Sequence, residues 1–259
     1  MKPSQEFKYP VHTVNQVFSL IEVLAGEKIE YSLSELMKET CLSKGIVYRL
    51  LGTLKSLGYV GHNLETRKYY LTYQFARIGF CLQERIRILE IIPHMKRLAQ
   101  EFKEMVNLAV LEQDKVVYLH SIECPHALRL DFKVGSYQPV HCTALGRVIL
   151  AYQDDSTISQ ILKTKKLKSY TAGTVTDPDE LRQILLQVRQ EGYSFVSEEY
   201  RPGVCCIAVP IFDEHGTIAA SLSFSLPTAR INPDILEAMV KSLKDSAKKI
   251  SLPHKLRTG

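Results

Sequence analysis

The chain has no apolar run of roughly eighteen residues, so no segment reads as a membrane-spanning helix. It also lacks a charged-then-apolar leader with a small-residue cleavage site, so a cytoplasmic protein with no membrane partner is expected. Cysteine is scarce and scattered: Cys41, Cys81, Cys124, Cys142, Cys205 and Cys206 resemble no disulfide framework, and a chain of 259 residues does not need one. No zinc-spaced CxxC and no glycine-rich phosphate loop accompanies them, so no metal and no cofactor is expected. Neither sign of charge dominates, since the net is +5, and 45% apolar content excludes the disordered and acidic classes. The basic runs at Lys163 to Lys168 and Lys241 to Arg257 read as solvated helix faces or termini. The length suits two domains of ordinary size.

What is present is most specific between Ser32 and Val60. Ser32 and Glu35 have the spacing of a capping box, which marks a helix start, and the pattern stops at Thr40 and Cys41. Ser43 is placed as the N-cap of a second helix. In it Val47, Leu50, Leu51, Leu54 and Leu57 fall on one apolar stripe. The opposite face offers Lys44, Gly45, Tyr48, Arg49, Gly52 and Thr53. Between Ser43 and Tyr70 the only acid is Glu65, against Lys44, Arg49, Lys55, Arg67 and Lys68. Local positive charge is what phosphate contact requires, so this face fits the major groove of a duplex. The plain alternative is an amphipathic helical hairpin with a solvated basic face.

The flanking sequence favours the DNA reading. Gly58 ends the helix, Tyr59 and Val60 start a strand, His62 to Thr66 form a turn, and Lys68 to Leu71 return as a second strand. This is a wing with Arg67 and Lys68 near its tip. Upstream, Val14, Val17, Phe18, Ile21 and Leu24 form a stripe that supplies a third helix.

Beyond Gln74 the spacing predicts a linker helix to about Ile91, interrupted by Pro93, and a further helix from there. Strand pairs follow at Val106 to Glu112 with Val116 to Glu123, and at Val204 to Phe212 with Thr217 to Ser225. Further strands are expected at Leu128 to Phe132 and Ser194 to Glu199, and helices at Thr143 to Tyr152, Pro178 to Gly192 and Pro233 to Ile250. Hairpins separated by helices argue for an α+β fold with an antiparallel sheet flanked by helices.

Over nearly its whole length the chain resembles the IclR-type bacterial transcription regulators. The resemblance is carried by TVNQVFSLIEVL, LSELMKETCLSKGIVYRLLGTLKSLGYV, RKYYLT and PVHCTALGRVILA, and above all by GYSFVSEEYRPGVCCIAVPIFDEHGTIAASLSFSLP. It implies an N-terminal winged helix-turn-helix over 1–75, a linker and dimerisation helix over 76–91, and a GAF-like effector domain over 92–259. It implies a homodimer or homotetramer on a partly palindromic duplex, controlled by a small-molecule effector, and no enzymatic activity. Carried over, Lys44, Gly45, Ile46, Tyr48 and Arg49 face DNA, with Gln16, Ser34, Ser43, Arg67 and Lys68 as further contacts. Three positions depart from the family pattern. Gln16 stands where arginine is usual, Cys41 where glycine is usual in the turn, and Gly45 where serine is usual.

For the effector the resemblance points to Leu130, to the helix start at Thr143, Ala144 and Leu145, to Val196 and Cys206, and to Ser223 and Ser225. A helix N-terminus beside hydroxyls suits a carboxylate. Val196 stands where members that bind small polar acids can carry an acidic residue, so the expected effector is a carboxylic acid with an apolar or aromatic body. The plain alternative for Ser223 and Ser225 is solvent-facing alternation on an edge strand. Two competing functions use the same domain. One is a metal- or redox-sensing regulator built on Cys124, His126, His141, Cys142, Cys205 or Cys206. The other is a thiol enzyme, which the opposed faces of neighbouring strand residues His141 and Cys142 disfavour.

Overall fold

The computed structural model describes residues 11–86, 88–126, 132–164 and 167–250, with backbone alone at 82–86 and 163–164. The expected contributions of Leu130, of the strand at Leu128 to Phe132 apart from Phe132, of Lys165 and Lys166, and of the second lysine-rich run beyond Ile250 fall outside these residues. Packing divides the chain into two compact units that meet between Leu82 and Gln83. Among the described residues no helix is long and apolar enough to cross a membrane.

The first unit contains α1 (His12–Leu24), α2 (Leu33–Thr40), α3 (Lys44–Ser56) and the hairpin of β1 (Val60–His62) with β2 (Tyr69–Leu71). The capping box forms as its spacing predicts: the Ser32 amide donates to Glu35 Oε2 at 2.8 Å and Ser32 Oγ accepts from the Glu35 amide at 3.3 Å. Cys41 then turns the chain in the left-handed region at φ 55°, the conformation for which glycine is suited. Ser43 occupies the N-cap of α3, yet its side chain makes no capping bond.

Leu20, Leu24, Leu36, Val47, Leu50, Leu51, Leu54 and Val60 close the core with Tyr31. Two expectations fail here. Of the expected α1 stripe, Val17, Ile21 and Leu24 face inward together with Leu20, but Val14 and Phe18 are exposed. A helix that is apolar over much of its circumference does not reveal which stripe is covered. Leu57 is also exposed, because it is the C-cap of α3 and the chain reverses at Gly58 (φ 79°).

The second unit is built on a six-stranded antiparallel sheet in the order β5-β4-β3-β8-β7-β6. The strands are β3 (Met105–Glu112), β4 (Lys115–Ile122), β5 (Tyr137–Pro139), β6 (Ser194–Ser197), β7 (Val204–Phe212) and β8 (Ile218–Pro227). Helix α5 (Ile88–Phe102) and α9 (Pro233–Lys249) cover one face, where Ile91, Met95 and Leu98 meet Leu108, Ile207 and Phe224. On the other face α6 (Ala144–Ala151), α7 (Asp155–Thr164) and α8 (Pro178–Glu191) enclose Ala109, Tyr118, Val196 and Ala208. Helix α4 (Gln74–Ile86) contains the boundary between the units.

Pro93 does not start a helix. It lies inside α5, whose buried stripe of Ile88, Ile91, Met95 and Leu98 runs past it. Burial of that stripe offsets the single amide donor lost in the second turn. The short β5 and α7 were not expected. His141 and Cys142 lie in the turn before α6 rather than in a strand.

Helix α6 is buried on every side, Arg147 included. It sits so near the preceding segment that a Cβ on Gly146 would come within 2.4 Å of Val140 Cα. Only glycine permits that approach.

Candidate functional site

Each unit presents a site. In the first, the covered stripe of α3 leaves Lys44, Gly45, Tyr48, Arg49, Gly52 and Thr53 exposed together. Ile46 is half-buried against the core, so it offers an edge rather than a free side chain. Nothing in the fold lies within 4 Å of a Cβ built on Gly45 or Gly52. Alanine would suit an exposed helix interior better by about 1 kcal/mol, so internal packing does not explain either glycine.

Ser34 is exposed at the start of α2, with its hydroxyl 3.2 Å from that of Ser32, and Gln16 is half-buried on α1. The wing is anchored where its turn meets β2 by a bridge between Tyr31 and Tyr69, with bonds of 2.9 and 2.8 Å. At its tip Arg67 is exposed in the left-handed region at φ 55°, and Lys68 follows half-buried.

In the second unit a small cleft opens between the start of α6, strands β6 and β7, and the loop joining those strands. Thr143 caps α6: its hydroxyl accepts from the Gly146 amide at 3.3 Å and donates to the Pro139 carbonyl at 2.7 Å. The amides of Ala144 and Leu145 precede the helix's own ladder and carry the positive end of its dipole. Val196 and Cys206, register partners on β6 and β7, form part of the wall. Of the expected effector residues, Thr143, Ala144, Leu145, Val196 and Cys206 thus line one cavity.

Ser223 and Ser225 do not line it. They lie on β8 in the interior of the sheet and are buried, which rules out a solvent-facing edge. Ser225 Oγ is 3.2 Å from Cys206 Sγ and accepts from Asn107 Nδ2 at 3.1 Å, so it stands behind the wall. Asn107 Oδ1 in turn accepts from Ser121 at 2.7 Å.

The sequence reading missed the groups that give the cleft its chemistry. Tyr118 and Phe132 stack with ring centroids 5.2 Å apart and planes 7° from parallel, making a flat apolar wall. Arg201 lies with its guanidinium 5.4 Å from the Phe132 centroid and 5.7 Å from that of Tyr200, placing a cation at the mouth. Glu199 also lines the cleft, but Arg147 Nη2 donates to its Oε2 at 2.5 Å and the Val175 amide at 3.2 Å. The pair is buried on both sides and pins the loop that carries Tyr200 and Arg201. A cation and an aromatic immediately after a strand, in SEEYRPG, were the available signal.

The thiols of Cys142, Cys205 and Cys206 are poorly suited to redox or metal chemistry. Burial pushes Cys142 and Cys205 up to about 12 and Cys206 up to about 11. Cys205 packs toward α5 and α9 while Cys206 faces the cleft, so they are not a pair. His141 Nε2 donates to the Lys168 carbonyl at 3.0 Å, and burial holds the ring below its ordinary value. Among the described residues, no cluster of three or more His, Cys, Asp or Glu side chains is placed to hold a metal ion.

A winged helix-turn-helix unit joined to a sheet domain with a small-molecule cleft defines a ligand-responsive DNA-binding regulator. Residues 13–63 match the IclR helix-turn-helix domain, and residues 83–252 match the bacterial transcriptional regulator IclR C-terminal domain. The chain belongs to the IclR family of transcription regulators, a family of DNA-binding proteins rather than enzymes. It is 37% identical over 242 residues to the HTH-type transcriptional regulator KdgR of Escherichia coli (strain K12), covering 93% of this chain and 92% of that protein. Its fold superposes on an IclR regulator from Alicyclobacillus acidocaldarius with a TM-score of 0.78 at 30% identity, covering 94% and 98% of the two chains. An IclR homologue from Microbacterium hydrocarbonoxydans, solved with 4-hydroxybenzoate, has the same fold at TM-score 0.77 and 24% identity, over 91% and 96%.

Proposed function

We propose that this regulator senses a carboxylic acid with an apolar or aromatic body, and that the acid's carboxylate seats between the α6 amides and Arg201. The observation that carries the reading is the cleft itself. It joins the first-turn amides of Ala144 and Leu145 and one cation to the stacked Tyr118–Phe132 wall. Val196 contributes no charge, so a compact and very polar acid gains little there.

On the DNA side, Lys44, Gly45, Ile46, Tyr48 and Arg49 enter the major groove of a partly palindromic duplex. Gln16, Ser34, Ser43, Arg67 and Lys68 contact its phosphates. Residues 1–75, 76–91 and 92–259 act as reader, dimerising linker and sensor. The exposed apolar side chains of Ile78 and Phe80 on α4 support assembly as a homodimer or homotetramer. A regulator of chromosomal genes acts in the cytoplasm, and control follows from unequal effector affinity for two quaternary states.

The test is a thermal-shift screen of organic and aromatic acids, beginning with 4-hydroxybenzoate, on the wild type and on Ala144→Leu. Stabilisation of the wild type alone, with DNA binding of the variant intact, is expected. Selectivity for a very polar acid of two or three carbons would falsify the effector class, and loss of DNA binding in Ala144→Leu would misplace the site.

A further inference from the structure

Glu30 lies outside the helix-turn-helix, on the segment between α1 and α2, yet both of its carboxylate oxygens are bonded to the wing. Asn63 Nδ2 donates to Oε1 at 2.9 Å and Thr66 Oγ1 donates to Oε2 at 2.8 Å. Asn63 organises the turn from within: its Oδ1 accepts from the Glu65 and Thr66 amides at 3.0 and 3.3 Å, and its own amide donates to the Lys68 carbonyl at 2.8 Å. The strands beneath are three residues each, too short to hold a turn alone. Arg67 nonetheless keeps a left-handed backbone, a conformation that persists only where the surroundings over-determine it.

We propose that Glu30 is a positioning residue for DNA binding, a carboxylate strut that locks the wing turn and so aims Arg67 and Lys68 at the phosphate backbone. Simple electrostatics predicts the opposite sign, because removing an acid beside a DNA-facing surface strengthens its field. The proposal rests on the reading that the wing cations touch phosphate, so the experiment tests that reading in a separate arm.

Full-length wild type, Glu30→Ala, Glu30→Gln, Thr66→Val and Arg67→Ala/Lys68→Ala are titrated by fluorescence anisotropy against a mixed-sequence duplex of about 30 base pairs, from about 50 to 200 mM salt. Phosphate contact is sequence-independent, so no operator is needed. The double wing variant is expected to bind more weakly and to lose about one to two units of salt slope. Glu30→Ala is expected to bind about threefold to tenfold more weakly with a reduced slope, and Thr66→Val to move the same way by less.

Glu30→Gln keeps an acceptor for Asn63 and can donate to Thr66, so it should bind at least as tightly as the wild type. Glu30→Ala added to the double wing variant should cost less than it does alone. Tighter or unchanged binding by Glu30→Ala, beside a weakened double wing variant, overturns the strut. An unaffected double wing variant overturns the wing reading and the strut with it. Equal weakening by Glu30→Gln and Glu30→Ala also overturns the strut, since the geometry is retained in only one.

Discussion

Replacing Glu199 by alanine strands Arg147. That residue is 3% exposed, and its surroundings supply the Glu199 carboxylate at 2.5 Å and the His141 carbonyl at 2.7 Å from Nε. The carbonyl is neutral, so the charge is left uncompensated where water has little access, and the Val175 amide loses its acceptor as well. Breaking one side of a buried pair costs about 3 to 5 kcal/mol. For a unit of this size each kcal/mol moves the midpoint by about 2 to 4 °C, so the fall is on the order of 10 °C. Scanning calorimetry of the full-length protein without ligand reads it directly. The double variant Arg147→Met/Glu199→Leu removes both charges and should recover much of the loss, because desolvation no longer opposes it. A midpoint for Glu199→Ala within about 2 °C of wild type would refute the argument, since the charge would then be solvated or paired elsewhere.

Other outcomes follow from the same structure. Gly146→Ala should destabilise the second unit by about 1 to 3 kcal/mol in urea unfolding, because the added methyl meets the Val140 backbone. Cys41→Gly should stabilise the first unit by about 1 kcal/mol, as the left-handed turn at φ 55° no longer opposes a Cβ; circular dichroism during urea unfolding measures it. Glu35 is held down to about 2 by the Lys28 side chain and by the Ser32 amide and hydroxyl. A depressed carboxylate stabilises fully above its ordinary 4.5 and loses that contribution as pH falls toward 2. The melting difference between wild type and Glu35→Gln should therefore shrink between about pH 5 and pH 2, and a constant difference would contradict the capping box.

Local interactions were the legible ones. Ser32 and Glu35 are three residues apart and satisfy each other within one turn, so their spacing was sufficient. The hairpins of β3 with β4 and β7 with β8 were also visible, since their turns join adjacent strands. The α1 stripe was legible at Val17, Ile21 and Leu24 but was extended to Val14 and Phe18, because Phe18 is as apolar as Leu20 and the choice between them is made by what packs against the helix. Pro93 was read as a break because a single residue weighed more than the apolar stripe that crosses it. Burial of Ser223 and Ser225 depends on β8 lying between β3 and β7, and strand order is not written in alternation.

The sequence alone determined the class of this protein: a winged helix-turn-helix with a locally basic face, followed by a sheet domain flanked by helices. Those features depend on neighbours within a turn or a hairpin, where periodicity and capping carry the information. Tertiary structure alone decided which side chains line the cleft. Tyr118 from β4, Phe132 after it, Arg201 from a loop and Thr143 from a helix cap are brought together by strand order and by the buried Arg147–Glu199 pair. It likewise decided that Glu30 reaches Asn63 and Thr66, 33 and 36 residues away. Contacts of that separation are set by how whole elements pack, and no local pattern records them.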